Sequence, residues 1–190
     1  MGDSAAAVSV PPATADDSAD PACDVAHGRA EVPASTRTLI AVFSSPAARF
    51  LLGYATDAGY RAVLIEPGAV HGADEPGTEG LTTAASLAGL ADEATDIVVC
   101  DHHRPELGPV LRDALASPAR WVGVLGNPRH PAPHIPALTA LGVPDEEIAR
   151  VHRPIGLNIG SRTPAEIALA TMAGQIADRN GRPGGFEFSS

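Results

Sequence analysis

The feature that most narrows what this chain can fold into is an alternation of short apolar runs with helix-patterned segments. "TLIAVF" starts at Thr38, "RAVLI" at Arg61, "DIVVC" at Asp96 and "WVGVLG" at Trp121. Each run is brief and rich in β-branched residues, with no polar face, as in a strand covered on both sides. Between the first two, "PAARFLLGYATDAG" repeats Phe50, Leu51, Tyr54 and Ala58 at helical spacing and stops at Gly59. "PELGPVLRDALA" reads as a helix behind the third run, and "LTTAASLAGLA" as a short helix ahead of it. A loop, "NPRHPAP", and short helices including "PDEEIARV" follow the fourth run. "HRPIGLNIG" then suggests another strand, and "TPAEIALATMAGQIADRN" a long final helix. Strand and helix in regular turn imply an α/β fold. The expectation is a Rossmann-like, doubly wound parallel sheet with helices on both faces and right-handed crossovers.

The 190 residues suit a single domain, placed at 37–180. Apolar residues make up 44% of the chain but aromatics only 4%, so aliphatic side chains and alanine must fill the core. Residues 1–36 are rich in Ala, Pro, Asp and Ser without apolar periodicity, and are expected to be a disordered tail or a partner-binding one. Residues 181–190 are expected to be a flexible C-terminal tail. Residues 68–80 read as a glycine- and acid-rich loop. The formal net charge is −10, and all 13 basic residues are arginine. Without a cationic run, nucleic acid is a poor partner. No apolar run approaches the ~20 residues of a membrane span, and the start lacks the pattern of a secretory signal. Two cysteines, Cys23 and Cys100, give no disulfide framework. The expected compartment is the cytoplasm.

Open parallel sheets bind ligands outside the carboxyl ends of their strands, near the switch point of the strand order. Useful residues should therefore follow each strand: Ser44 to Pro46, Glu66, Asp101 to Arg104, Gly126 to His130 and the 156–162 loop. A dinucleotide turn needs three glycines, for the bend, for approach of the pyrophosphate and for close helix packing. Here those positions hold Ser44, Pro46 and Arg49. Proline puts a ring where phosphate should lie and removes a donor. Ser45 and Pro46 nevertheless make a good helix start. Glu66 lies where a ribose-binding acid belongs. NAD(P) is therefore disfavoured.

The most specific stretch is "HRPIGLNIGSRTPAEIALATMAGQIA". Thr163 to Glu166 is a capping box with proline at the first helical position. Leu169, Met172, Ala173 and Ile176 mark the expected buried face. Gly156 and Gly160 suggest a strand end that approaches another backbone or a ligand. Arg162, beside the positive end of a helix, would favour an anion.

"PIGLNIGSRTPAEIALA", "WVGVLGNPRH" and "VVCDHHRPELGPVLRDAL" together resemble the C-terminal domain of the XdhC/CoxI family, over residues 38 to about 178. The resemblance implies a Rossmann-like fold. It also implies a maturation factor for molybdenum hydroxylases such as xanthine or carbon monoxide dehydrogenase. Such factors are held to bind the molybdenum cofactor, assist its sulfuration and deliver it to the apoenzyme. The family's signature falls on Pro154, Ile155, Gly156, Leu157, Ile159 and Gly160, and its glycine pair on Gly123 and Gly126. Asn158 stands where the family usually has aspartate. The glycine-rich first turn and the family's N-terminal domain with its cysteine are missing, so a separate protein supplying that domain is an expected partner beside the hydroxylase. The oligomeric state is left open, a homodimer included.

The pterin cofactor is anionic through its phosphate, which Arg129 or Arg162 and backbone N–H groups would meet. The candidate cofactor-binding residues are thus Ser44, Ser45, Glu66, His102, Gly126, Asn127, Arg129, Gly156, Gly160 and Arg162. "CDHHR" lacks metal-ligand spacing, and adjacent histidines in an extended loop point apart. His102 facing the crevice is the better reading, with Cys100 as a small buried residue. No acid–base pair or nucleophile stands out, which favours an accessory protein over an enzyme. Two rivals remain: an NAD(P)-dependent oxidoreductase, and a subunit that has kept the fold and lost the crevice.

Overall fold

A computed structural model describes residues 21–31, 35–67, 81–127 and 129–185. The chain divides into two units, Met1–Ala34 and Ser35–Ser190. In the first, α1 spans Pro21–Ala26, closed by Gly28 at φ +66° and by an Arg29–Asp24 ion pair of 2.8 Å. This helix lies within the stretch expected to lack structure. Residues 1–20 and 32–34 of that tail, the loop at 68–80 and the last five residues lie outside the described residues.

The second unit is built on six parallel strands in the order β3-β2-β1-β4-β5-β6. They are β1 (Thr38–Val42), β2 (Arg61–Ile65), β3 (Thr82–Ala84), β4 (Thr95–Val99), β5 (Trp121–Val124) and β6 (Val151–His152). All residues of β1, β4 and β5 are buried, as continuous apolar runs require when helices cover both faces. Ile40, Val42, Ile97 and Val99 point to one face, where they meet Leu107 and Leu111 of α3 (Leu107–Ala116), Leu138 of α4 (His134–Thr139) and Ile148 of α5 (Asp145–Ile148). Leu39, Ala41 and Val98 point to the other, against Leu51, Leu52 and Ala55 of α2 (Pro46–Asp57) and Ala168 and Met172 of α6 (Pro164–Arg179). Each fully buried aliphatic side chain contributes roughly 1.5–3 kcal/mol.

Helix starts follow their sequence signals. Ser45 caps α2 by accepting from the Ala48 N–H at 3.1 Å, with Pro46 at the first helical position. Thr163 and Glu166 form the capping box of α6 in both directions.

Three expectations are corrected. "LTTAASLAGLA" forms no helix. Thr82 and Thr83 pair with Val63 and Leu64 as an edge strand, because two β-branched residues fit a pleated edge better than a short helix. "HRPIGLNIG" is strand only at Val151–His152, and its glycine-containing remainder is an irregular loop. The buried face of α6 runs through Ala168, Thr171, Met172 and Gln175, while Leu169 is 52% exposed. α6 packs chiefly on α2, with Ala168 and Met172 joining the cluster on that face of the sheet, and this sets which side of the helix is buried.

Candidate functional site

A cavity of about 730 Å³ opens at the carboxyl ends of β4 and β5, beside the loop that follows β6. β4 supplies Cys100 and His102, and β5 supplies Leu125, Gly126, Asn127 and Arg129. The 154–161 loop forms the long wall, Ile167, Ala170 and Thr171 of α6 back it, and α2 contributes Ala47.

The wall stands where it does because two glycines let backbones touch. Gly156 has φ +85°, and a Cβ there would lie 2.9 Å from Ala170 C and from Thr171 N of α6. A Cβ on Gly174 would lie 2.7 Å from Gly156 Cα. The Leu157 N–H donates to Ala170 O at 3.0 Å, which seals the contact. Gly160, at φ +71° with open space around it, carries the loop back towards α6.

The opposite wall depends on Arg153. A Cβ on Gly126 would meet its Nε at 2.6 Å and its Nη2 at 2.8 Å. Nη2 donates to Asn127 O at 3.0 Å and Nη1 to His130 O at 3.3 Å. The buried Nε has no partner. Asn127 Oδ1 accepts from the Arg129 N–H at 2.9 Å, closing a small turn that sets exposed Arg129 on the rim.

Six candidates therefore share one cavity: His102, Gly126, Asn127, Arg129, Gly156 and Gly160. The other four do not line it. Ser45 is the cap of α2. The Ser44 N–H donates to Glu66 Oε2 at 2.7 Å, and Arg104 Nη2 donates to Glu66 Oε1 at 2.8 Å. Glu66 is 9% exposed and turned inward, with both oxygens engaged. The Arg162 N–H donates to Glu166 Oε2 at 2.7 Å, so the start of α6 is served by its own glutamate, and the Arg162 side chain is exposed outside the cavity.

Burial lowers the affinity of His102 for a proton, with His103 and Arg153 adding to the effect. The two histidine rings lie 4.1 Å apart at 40°, not pointing apart, because the segment bends instead of running extended. Cys100 is half-buried on the cavity wall, and burial followed by the Asp101 charge pushes its thiol up to about 12. It is a thiol at neutral pH and a weak nucleophile. Among the described residues no group of three or more His, Cys, Asp or Glu could hold a metal ion. The cavity can thus hold an apolar body against Leu125, Ile155 and Leu157 and present polar atoms of Asn127, His102 and Arg129 to a charged end.

The sequence reading missed Arg153 and placed Arg104 among the residues near the crevice without foreseeing its pairing with Glu66. Gly126 was the available signal for Arg153, since a glycine past a strand end marks a close approach without saying what approaches.

Among the described residues no helix is long and apolar enough to cross a membrane. The chain is 39% identical over 75 residues to the uncharacterized protein YqeB of Escherichia coli (strain K12), a match covering 40% of this chain and 14% of that one. A solved xanthine dehydrogenase from Bacillus halodurans shares the fold, with a TM-score of 0.59 at 20% identity over 77% of this chain and 43% of that one. The chain spans less than half the length of each. The XdhC Rossmann domain family matches residues 39–175, from β1 into α6 and so through every strand and every element of the cavity. This chain belongs to the XdhC Rossmann domain family.

Proposed function

We propose that this chain is an accessory factor in the maturation of a molybdenum hydroxylase of the xanthine or carbon monoxide dehydrogenase type, holding the molybdenum cofactor in the cavity and passing it to the apoenzyme. The observation that carries this reading is the family match over the very residues that build the cavity.

The site fits the group in three respects. A volume of about 730 Å³ admits a pterin with room for water. Leu125, Ile155 and Leu157 offer an apolar surface to its rings. Arg129 on the rim and the polar atoms of Asn127 and His102 suit a phosphate and ring heteroatoms. The cofactor, when bound, supplies the redox-active centre that the client enzyme uses. This chain binds and orients: Arg129 engages the charged end, neutral His102 exchanges a hydrogen bond at the inner end, and Gly160 leaves the backbone open. Cys100 is a wall residue, and burial, which raises its thiol pKa to about 12, disfavours a sulfur-carrying role. A partner carrying the remainder of the maturation machinery completes the activity.

Coexpression with an apo-hydroxylase tests the reading. Affinity capture of this chain should bring down the client, and oxidation of the eluate should release a fluorescent pterin. Arg129→Ala should lower the pterin yield severalfold without altering the melting curve. Capture of neither client nor pterin would refute the proposal.

A further inference from the structure

The crevice of a doubly wound sheet normally extends past the end of the second strand, where an acid holds the ribose of an adenosine. In this chain that acid, Glu66, is 9% exposed and each of its oxygens already accepts a hydrogen bond. One oxygen accepts from the Ser44 N–H at 2.7 Å, the other from Arg104 Nη2 at 2.8 Å. Arg104 comes from the segment after β4 and crosses the end of β1 to get there. Its guanidinium carbon sits 4.8 Å over the ring of Phe43, and its Nε reaches Glu106 at 3.3 Å. Phe43 is itself unusual: it is wholly buried and holds φ +70°, a conformation an aromatic residue keeps only when its surroundings fix it. Arginine, ring and carboxylate thus form one latch across the ends of β1 and β2. The cavity includes none of Phe43, Ser44, Glu66 or Arg104.

We propose that Arg104 is a specificity-determining residue, occupying on Glu66 the place of a ribose diol, so that the adenosine half of a dinucleotide is shut out and the ligand is confined to the cavity over β4 to β6. The proposal deepens the reading of the cavity given above by naming the class it accepts, a single ring system with one anionic group, and the class it rejects, dinucleotides. A ribose can match the hydrogen bonds of the guanidinium but not its charge. Displacing Arg104 would leave the buried Glu66 carboxylate without its cation. Pro46 acts in the same sense on the pyrophosphate, by removing a donor from the first turn.

The test is calorimetry of the full chain with two probes, AMP and NADH. AMP carries the ribose without needing the pyrophosphate turn. Wild type should show no saturable binding of either. Arg104→Ala should free Glu66 and strengthen AMP binding by at least about tenfold, and adding Glu66→Gln to it should abolish the gain. Arg104→Gln, which keeps hydrogen bonding without the charge, serves as a second variant should the alanine protein melt early. Micromolar binding of NADH by wild type would overturn the proposal. So would the lack of any gain in AMP affinity in whichever of the two variants melts cooperatively. Pterin retention is not a readout here, so failure of the latch and failure of the maturation role are separately visible.

Discussion

Alanine in place of a helical glycine usually stabilises, by about 1 kcal/mol, since it removes backbone freedom from the unfolded chain. Gly174 should reverse that sign. A Cβ there would stand 2.7 Å from Gly156 Cα, 3.1 Å from its C and 3.2 Å from its N. The closest contact falls roughly 0.8 Å inside the ~3.5 Å at which two carbons are comfortable. Both sides are backbone, so no side chain can swing away. Overpacking of this kind costs about 1–3 kcal/mol, which offsets or outweighs the propensity gain and leaves a net loss of up to about 2 kcal/mol. For a domain of this size that lowers Tm by up to roughly 8 °C. Gly53 supplies the control, being helical, exposed and with nothing within 4 Å of its would-be Cβ. Gly53→Ala should raise Tm by a few degrees while Gly174→Ala lowers it, both followed by circular dichroism on cooperative melts. Shifts of the same sign in the two variants would refute the argument that the 154–161 wall rests on backbone contact with α6.

Arg153→Ala should raise the pKa of His102 towards its ordinary 6.5, because Arg153 is among the groups that lower it, as imidazole NMR titration would show. Asp96 is 1% exposed and pairs with Arg120 at 2.7 Å, and burial holds its carboxyl above 3.8 against the pull of that arginine. A raised carboxyl pKa gives stability that is complete below 3.8 and lost as pH rises through the folded value, so Asp96→Asn should gain on wild type over that interval in urea titrations at stepped pH. Cys100 should resist Ellman's reagent at pH 7.5 in the native chain and react on unfolding, since its thiol titrates near 12. A fast reaction of Cys100 under native conditions would contradict its burial.

The strands and main helices were legible because each obeys a local rule: continuous apolar runs for β1, β4 and β5, a serine–proline start for α2, a capping box for α6. β3 was not, since Thr82 and Thr83 become a strand only when β2 offers them an edge. Leu169 was assigned to the core because spacing fixes a helix's apolar side without fixing which neighbour claims it. In the site, the close approach expected at 156 and 160 is found at Gly156, against the α6 backbone, but not at Gly160, which has open space around it, while Gly126 faces Arg153, distant in sequence. Glu66 sat where a ribose acid belongs, and only the path of Arg104 reveals that its oxygens are spoken for.

The sheet's margins carry a consequence for assembly. Among the described residues it ends in β3, three residues long, and β6, only two, where the His152 ring stacks on Trp121 at 5.0 Å. Such stubs give an incoming chain almost no ladder to extend, which guards against fibrous growth through strand recruitment. Among the described residues, helix surfaces and loop rims are what remains for lasting association with another polypeptide, where side-chain fit rather than main-chain pairing selects the partner.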